Sequence, residues 1–339
     1  MPAKYFPKQV TRNPSFHNTH SSQKNIPTLN RKLIKKFVYR DLCCPWSRTQ
    51  APSGQWSCTV KHIHLKFERP NAEVNKLERQ VIDKIYVKTV VEEEDTTVYA
   101  PNGEVHAVFL KGAIPLGTYE MAYPFLLKAA SSSVIGGFRG TAAGTGTQPS
   151  YKKDGTLSNM RRVPKEERLV GAKDGVLGYL DQNNFSPCRL TAYTRNHWQQ
   201  FGSTVLPYIQ AVDNLFRTHM PERHAAQLSV ASMTPGYTIE GTSFSTATVN
   251  LNFATACHRD YGDLAEGAGV ITCFSSGEFT GGTLVFPKWN LGFNLGTGDV
   301  LLCNVHEVHG NLPLVGEVGE YQRLSCVFYY REKLQDCLE

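Results

Sequence analysis

From Thr234 to the end of the chain, short apolar runs alternate with glycine-rich turns, and turn residues recur every eight to twelve positions. Strands of this length and spacing are typical of a β-sandwich or a small barrel. This feature therefore predicts a β core in the last third of the chain. The predicted strands are Tyr237–Glu240, Ser243–Asn250, Gly269–Ser275, Thr283–Phe286, Leu291–Leu295, Asp299–Asn304 and Leu324–Tyr330.

One amphipathic stretch precedes these strands, from about Asn196 to Ser229. Its apolar residues fall mostly three or four positions apart, which places them on one face of a helix that packs against a core. Pro207 lies near its start, and Pro221 divides it from a second short helix. The apolar face consists of Phe201, Val205, Ile209, Val212, Leu215 and Phe216. Helices followed by short strands predict an α+β protein.

The composition is that of a globular protein, with 41% hydrophobic and 19% charged residues in 339. It argues against disorder throughout, a coiled coil or a collagen-like chain. No apolar run reaches the roughly 18 residues of a membrane helix, and the N-terminus lacks the apolar segment of a secretory signal. We therefore expect a reducing compartment and reduced cysteines. Four of the nine lie in apolar runs, where a free thiol packs as a small hydrophobe: Cys257, Cys273, Cys303 and Cys326.

The positive net charge of +6 is concentrated at the N-terminus, where residues 1–40 contain nine lysines and arginines and no acid. The remainder is slightly acidic. Such a segment suits a phosphate backbone, or it is a solubilising or targeting arm. We predict a basic flexible arm at 1–40, a β-rich N-terminal extension at 41–115 and a main domain at 116–339, with its β core at about 234–331. Residues 131–175 are rich in glycine, which predicts a long loop.

His258 and Asp260 form a His-x-Asp pair at the end of a predicted strand, where alternate residues point to one face. About fifty residues later, an apolar strand leads to His306 and His309. Two imidazoles and one carboxylate form the facial triad that non-haem Fe(II) uses for oxygen chemistry. Only one of the two later histidines can join, because residues three apart on a strand face opposite ways. We predict His258, Asp260 and His309, with His306 as the competing third ligand.

Arg323 and Ser325 lie at the head of the last predicted strand. An arginine on a strand beside the metal can bind the distal carboxylate of 2-oxoglutarate through two hydrogen bonds, and a serine hydroxyl can assist. We predict no zinc site near the N-terminus, because the spacing of its cysteines and histidines fits no common structural zinc pattern and favours packing cysteines with surface histidines. These residues are Cys43, Cys44, Cys58, His62 and His64.

Several segments resemble the TET/JBP superfamily of DNA-modifying oxygenases, and most of all its short algal, fungal and phage-type forms. The resemblance covers about residues 130–331. Its segments are Thr234–Asn252, His258–Asp263, Thr280–Pro287 and Val305–Asn311, with weaker matches at Gly137–Gly144 and Gly175–Asp181. It implies a double-stranded β-helix, or jelly-roll, core with flanking helices. It also implies Fe(II), 2-oxoglutarate and oxidation of the 5-methyl group of a flipped DNA pyrimidine, with 5-methylcytosine as the expected base and 5-hydroxymethylcytosine or further oxidised forms as products.

Matched residue by residue, the resemblance implies the same three metal ligands and Arg323 as the cosubstrate anchor. It implies Asp263 near the cosubstrate or the base. Asn250 and Arg139 are candidates to contact the base or the loop that closes on it. A flipped base also needs an aromatic side chain to stack on. The candidates are Phe253, Tyr261, Trp289 and Phe293, and the alternative for each is a core aromatic.

The expected partner is double-stranded DNA with a modified base. We expect the protein to be a monomer that does not bind a membrane. Basic residues expected to contact its backbone, besides the arm, are Lys152, Lys153, Arg161, Arg162 and Lys165. The expected location is intracellular, in the nucleus of a eukaryote or the host cytoplasm for a virus. One alternative is an algal-type enzyme that uses ascorbate to attach a glyceryl group to 5-methylcytosine. Others are a hydroxylase of thymine, N6-methyladenine, RNA or protein, and a binding module without catalysis.

Overall fold

The computed structural model describes residues 48–50, 56–58, 60–131, 147–151, 157–162, 173–183, 186–317 and 319–338. They lie within one compact unit, Cys43–Glu339. Three sets of predicted DNA contacts lie outside the described residues: the arm at 1–40, Arg139 and the loop lysines Lys152, Lys153 and Lys165. The side chains of Arg161 and Arg162 also lie outside the description.

Strands dominate this part of the chain. In chain order they are β1 (Arg48–Gln50), β2 (Trp56–Cys58), β3 (Lys61–His64), β4 (Thr89–Val91), β5 (Thr96–Tyr99), β6 (Val105–Leu110), β7 (Thr147–Tyr151), β8 (Leu157–Arg162), β9 (Lys173–Leu180), β10 (Arg189–Leu190), β11 (Thr246–Leu251), β12 (Gly269–Ser276), β13 (Leu284–Phe286), β14 (Leu291–Phe293), β15 (Val300–Cys303), β16 (Gly310–Asn311) and β17 (Gln322–Tyr329). The α-helices are α1 (Asn71–Val74), α2 (Leu116–Ser131), α3 (Ala192–Asn196), α4 (Trp198–Gln200), α5 (Leu206–His219) and α6 (Pro221–Met233). Shorter helical turns are the 3-10 segments Asn75–Leu77, Lys84–Tyr86, Pro235–Tyr237 and Glu332–Leu338, and the π-helical segment Phe201–Val205.

Two sheets form the core, and the chain alternates between them. In the larger sheet, β11, β17, β12 and β15 are antiparallel neighbours. In the smaller sheet, β16, β13 and β14 are neighbours, and His258 pairs with His309 at its edge. The chain passes from β11 to the His258 segment, back to β12, across to β13 and β14, back to β15, across to β16 and finally to β17. This winding is a double-stranded β-helix, as the resemblance to the TET/JBP superfamily implied.

Alternate residues of β17 face opposite layers, because side chains of a strand point alternately to its two faces. Leu324, Cys326 and Phe328 pack beneath α2 and α5. Arg323 and Ser325 face the space between the two sheets. The helices thus cover one face of the larger sheet and leave its other face for a site.

The N-terminal extension contributes strands to the same sheets. β6 pairs with β15, and β5 and β3 extend that edge, so the larger sheet has nine strands within the described ranges. β4 pairs in parallel with β14 in the smaller sheet. The predicted extension at 41–115 is therefore continuous with the jelly roll through its backbone hydrogen bonds.

Most of the predicted strands and the helical stretch are confirmed. The helix divides at Pro221 into α5 and α6, and five of its six predicted apolar residues are buried. The strand predicted at Tyr237–Glu240 is wrong, because a 3-10 turn ends there. The region predicted as a long loop, 131–175, contains the antiparallel pair β7–β8. The helix α2 was not predicted, because Pro124 interrupts its apolar pattern. No helix in the described ranges is both long and apolar enough to span a membrane.

The cysteines follow two patterns. Cys257, Cys273, Cys303 and Cys326 are free and buried, as predicted for packing thiols. Cys188 and Cys337 form a disulfide that joins β10 to the C-terminal 3-10 segment. That disulfide contradicts the expectation that all cysteines are reduced. Neither cysteine lies in an apolar run, so neither was predicted to be a packing thiol.

Asp299, directly before β15, links that strand through side-chain hydrogen bonds to the residues that follow β6. Its carboxylate accepts hydrogen bonds from the backbone N of Gly112 (2.8 Å) and of Gly296 (2.7 Å), and from Lys111 Nζ (3.2 Å). The side chain is 1% exposed. Asp299→Ala leaves these donors unpaired, and we expect it to lower the free energy of unfolding by about 2–4 kcal/mol, measured by urea denaturation. The exposed Glu104→Ala is the control, with an expected change within about 0.5 kcal/mol, and equal losses in both variants would contradict the assignment.

Candidate metal and cosubstrate site

A cavity of about 330 Å³ lies between the two sheets of the jelly roll. The predicted site residues that the structure describes all line it: His258, Asp260, His309, Arg323, Ser325, Asn250 and Asp263. A larger cavity of about 770 Å³ is lined by residues of α4, α6 and neighbouring turns, and none of the predicted site residues contributes to it. The smaller cavity is therefore the candidate site.

His258, Asp260 and His309 converge on one point in this cavity. The Nε2 atom of His258 lies 3.6 Å from Asp260 Oδ1, and Nε2 of His309 lies 3.7 Å from Asp260 Oδ2. The ligand atoms of all three residues lie within 4.8 Å of one another. This spacing suits three donors around one ion, and two imidazoles with one carboxylate match the ligand preference of Fe(II).

The two histidines are held by their own backbones. His258 N donates to His309 O (2.8 Å) and His309 N donates to His258 O (3.0 Å), which joins the two strand ends. His258 Nδ1 contacts Ala256 O at 2.8 Å, and His309 Nδ1 contacts Glu307 O at 2.9 Å. Because a carbonyl oxygen only accepts, each Nδ1 carries a hydrogen, which leaves Nε2 of each ring as the atom available to a metal ion.

Burial also keeps His309 neutral. Burial first, and the nearby imidazole of His258 second, lower the pKa of His309 to about 4. Metal ligation requires the neutral imidazole. At neutral pH this side chain is therefore in the form that binds a metal ion.

The structure separates the two candidates for the third ligand. His309 lines the cavity, whereas His306 does not. His306 lies in the turn before it, where its backbone N donates to Asn304 Oδ1 (3.1 Å). Among the described residues, the cluster able to hold a metal contains His309 and not His306.

Arg323 brings a buried positive charge into the same cavity, with 4% of its surface exposed. Its backbone N donates to Asn252 Oδ1 (2.7 Å), which fixes the strand at this residue. Within the described ranges, no carboxylate lies at ion-pair distance from its guanidinium. Gly282, at φ +73°, leaves room for the side chain, since an added Cβ would lie 2.9 Å from Arg323 Nε. A buried guanidinium without a carboxylate partner in the described ranges would be stabilised by an anionic ligand, such as the distal carboxylate of 2-oxoglutarate.

The predicted substrate contacts line the same cavity. Asn250 lies opposite Ser325 in the pairing of β11 with β17. Asp263 is 8% exposed, its backbone N donates to Asp260 O (3.2 Å), and its backbone pairs with that of Arg331. Arg331 Nε donates to Asp181 Oδ1 at 2.6 Å. Acidic, basic and amide groups thus surround the space beside the metal cluster.

Two asparagines with supporting roles were not predicted. Asn252 adopts φ +49°, a conformation that asparagine tolerates better than most residues, and it holds the backbone of Arg323. Asn311 accepts a hydrogen bond from Thr255 Oγ1 (2.8 Å) and donates to Gly282 O (2.9 Å). Their position at strand ends in the sequence was the only signal available.

The four aromatic candidates for stacking separate clearly. Phe253, Trp289 and Phe293 are at most 6% exposed. Trp289 and Phe293 pack in the core, whereas Phe253 lines the cavity. Tyr261, next to Asp260, is 67% exposed and lines the cavity. The core alternative therefore holds for Trp289 and Phe293, while Phe253 and Tyr261 both line the cavity and only Tyr261 is exposed.

Comparison with known proteins identifies the family of this domain. Residues 175–332 match Tet_JBP, described as the oxygenase domain of the 2OGFeDO superfamily, which uses Fe(II) and 2-oxoglutarate. The chain is 36% identical over 177 residues to "Thymine dioxygenase JBP1" of Trypanosoma brucei brucei, and this alignment covers 50% of this chain and 21% of that protein. It is 30% identical over 242 residues to "Bifunctional helicase and thymine dioxygenase JBP2" of Trypanosoma brucei brucei, strain 927/4 GUTat10.1, which covers 70% of this chain and 20% of that protein.

The chain thus spans about a fifth of the length of these relatives. A solved structure described as "NgTET1 in complex with 5mC DNA" is 14% identical, with a TM-score of 0.46, and the match covers 73% of this chain and 83% of that one. With its jelly roll and its sequence match, the domain formed by residues 175–332 belongs to the TET/JBP superfamily of oxygenases.

Proposed function

We propose that this chain is an Fe(II)- and 2-oxoglutarate-dependent dioxygenase that oxidises the 5-methyl group of a pyrimidine in double-stranded DNA, acting as a monomer. One observation carries the proposal. The cluster of His258, Asp260 and His309 shares a cavity with Arg323, a buried cation that has no carboxylate partner in the described ranges. A metal ion and a dicarboxylate together would satisfy both groups.

Each residue has a defined task in this proposal. His258 and His309 bind the metal ion through Nε2, and Asp260 binds it through a carboxylate oxygen. Arg323 and Ser325 hold the distal carboxylate of 2-oxoglutarate and so orient it toward the metal. When bound, Fe(II), 2-oxoglutarate and O₂ supply the oxidation, in which one oxygen atom enters the methyl group and the other enters succinate as CO₂ is released. The sheets around the cavity exclude bulk water.

The substrate base would enter the cavity as an extruded nucleotide. The metal cluster lies between two sheets, and both histidines are less than 10% exposed. A methyl group inside a duplex cannot reach such a recessed site, so the base must leave the stack. Asn250 and Asp263, which line the cavity, are the proposed contacts to its Watson–Crick edge.

Two bases carry the required methyl group. The relatives named as thymine dioxygenases favour thymine. Asp263 favours 5-methylcytosine, because a carboxylate accepts a hydrogen bond from the N4 amino group of cytosine, whereas thymine presents an acceptor, O4, at that position. We therefore propose a 5-methylpyrimidine as the substrate class, with both bases to be tested.

Nucleoside mass spectrometry tests the proposal directly. The protein is incubated with Fe(II), 2-oxoglutarate and a duplex that contains 5-methylcytosine at defined positions, beside the same duplex without it. We expect a hydroxymethyl product from one of the two pyrimidines that depends on both Fe(II) and 2-oxoglutarate. No product from either base, with both cofactors bound, would contradict the proposal. A parallel incubation with ascorbate in place of 2-oxoglutarate tests the glyceryl-transfer alternative, which predicts a larger adduct in that sample alone.

A further inference from the structure

We propose that Tyr261 stacks against a nucleotide of the bound DNA at the mouth of the cavity and positions the substrate strand there. This inference rests on the proposed function, because it takes DNA as the ligand. Its structural basis is an exposed ring held in place from a segment outside the matched domain.

The exposure of Tyr261 distinguishes it from its neighbours. It is 67% exposed although it follows the predicted ligand Asp260 directly and lines the same cavity. An aromatic face beside a cavity is an apolar surface available to a planar ligand. A nucleobase adjacent to an extruded base loses a stacking partner, and an aromatic side chain can replace it.

The ring is held by a hydrogen-bonded clamp. Tyr261 Oη donates to Glu78 Oε1 (3.1 Å) and accepts from Arg259 Nη1 (3.4 Å). Arg259 also forms a close ion pair with Glu78, and its Nη2 donates to Asn75 Oδ1 (2.7 Å). The two residues on either side of Asp260 are therefore both tied to Glu78.

Backbone hydrogen bonds anchor the segment that supplies Glu78. Arg79 N donates to Cys257 O (2.5 Å), and Cys257 N donates to Gln80 O (2.8 Å). These bonds hold residues 79 and 80 against Cys257, directly before His258. The segment lies outside residues 175–332, which match the family. A fixed ring loses less conformational freedom on binding than a mobile one, so the clamp prepares Tyr261 for contact with DNA.

The test compares Tyr261→Ala and Tyr261→Phe with wild type. Affinity for a methylated duplex is measured by fluorescence anisotropy in the presence of Mn(II), and affinity for Mn(II) is measured separately. Stacking on one aromatic side chain accounts for about a tenfold difference in affinity. We expect Tyr261→Ala to weaken duplex binding about tenfold, and Tyr261→Phe, which keeps the ring and loses the bond to Glu78, to weaken it less. Neither should change the affinity for Mn(II).

Trp198→Ala is the matched control, because Trp198 is a 48% exposed aromatic that does not line the candidate cavity. We expect it to bind the duplex as wild type does. If wild type oxidises the duplex and Tyr261→Ala binds it within about twofold, the role of Tyr261 is overturned and the proposed function stands. An equal loss of Mn(II) affinity and duplex affinity would also overturn it, because Tyr261 would then act through the metal site. A wild-type protein that neither binds nor oxidises DNA would overturn both proposals.

Discussion

Replacing His309 with alanine is expected to lower the affinity for Fe(II) by at least about 100-fold and to remove dioxygenase activity. Changes to residues that merely support metal ligands already cost about 10- to 100-fold in affinity or activity, and His309 is proposed as a ligand itself. Its Nε2 lies 3.7 Å from Asp260 Oδ2 and faces the cavity. Fe(II) affinity is measured anaerobically by titration, and activity by the nucleoside assay.

His306→Ala is the matched control, because it removes the same side chain three residues away. His306 does not line the cavity, so we expect Fe(II) affinity close to that of wild type. The opposite result, in which His306→Ala loses Fe(II) and His309→Ala keeps it, would reverse the choice of third ligand. Loss in both variants with intact folding would show that the turn between them, and not one imidazole, determines metal binding.

Replacing Arg323 with methionine is expected to raise the KM for 2-oxoglutarate by about 10- to 150-fold. This range corresponds to about 1.5–3 kcal/mol for hydrogen bonds to a charged group. The same change removes a buried guanidinium that has no carboxylate partner among the described residues. We therefore expect the melting temperature without cosubstrate to stay the same or rise, because an uncompensated buried charge destabilises the fold.

The ligand-induced shift in melting temperature separates the two effects. A ligand that binds the folded state stabilises it by an amount that rises with the logarithm of its concentration over Kd, so 2-oxoglutarate should raise the melting temperature of wild type and not of Arg323→Met. Arg331→Met is the contrast, since Arg331 already has Asp181 as its partner. That change leaves a carboxylate unpaired and should lower the melting temperature without any ligand. A fall of the same size in both variants would contradict an anion site at Arg323.

The parts of the fold that sequence predicts well are those with a local pattern. The strands β11 to β15 and β17 and the helices α5 and α6 show apolar patterns that do not depend on distant residues, whereas the two-residue strand β16 shows none. The metal cluster was predictable because the ligand types and strand ends are both visible in the sequence. Strand geometry limited the third member to one of His306 and His309, and the structure brings His309 to the cavity while His306 lies in the preceding turn.

The remaining features depend on contacts between distant segments. Nothing near Asn75 or Glu78 in the sequence indicates that they bind Arg259, more than 180 positions away. The addition of β3, β5 and β6 to the jelly-roll sheet likewise depends on an edge of β15 that the sequence of the extension does not reveal. Asn252 shapes the site through a positive φ, which single-sequence patterns do not report.

The bond between Cys188 and Cys337 spans 149 residues and closes a covalent ring around every strand from β11 to β17. Mechanical force applied to the two ends of the chain would pass through that bond and bypass the jelly roll. While the bond is intact, a pulling experiment should lengthen the chain only by the residues outside the ring. Chemical reduction should release the enclosed length as an additional extension step, with the metal ligands inside it.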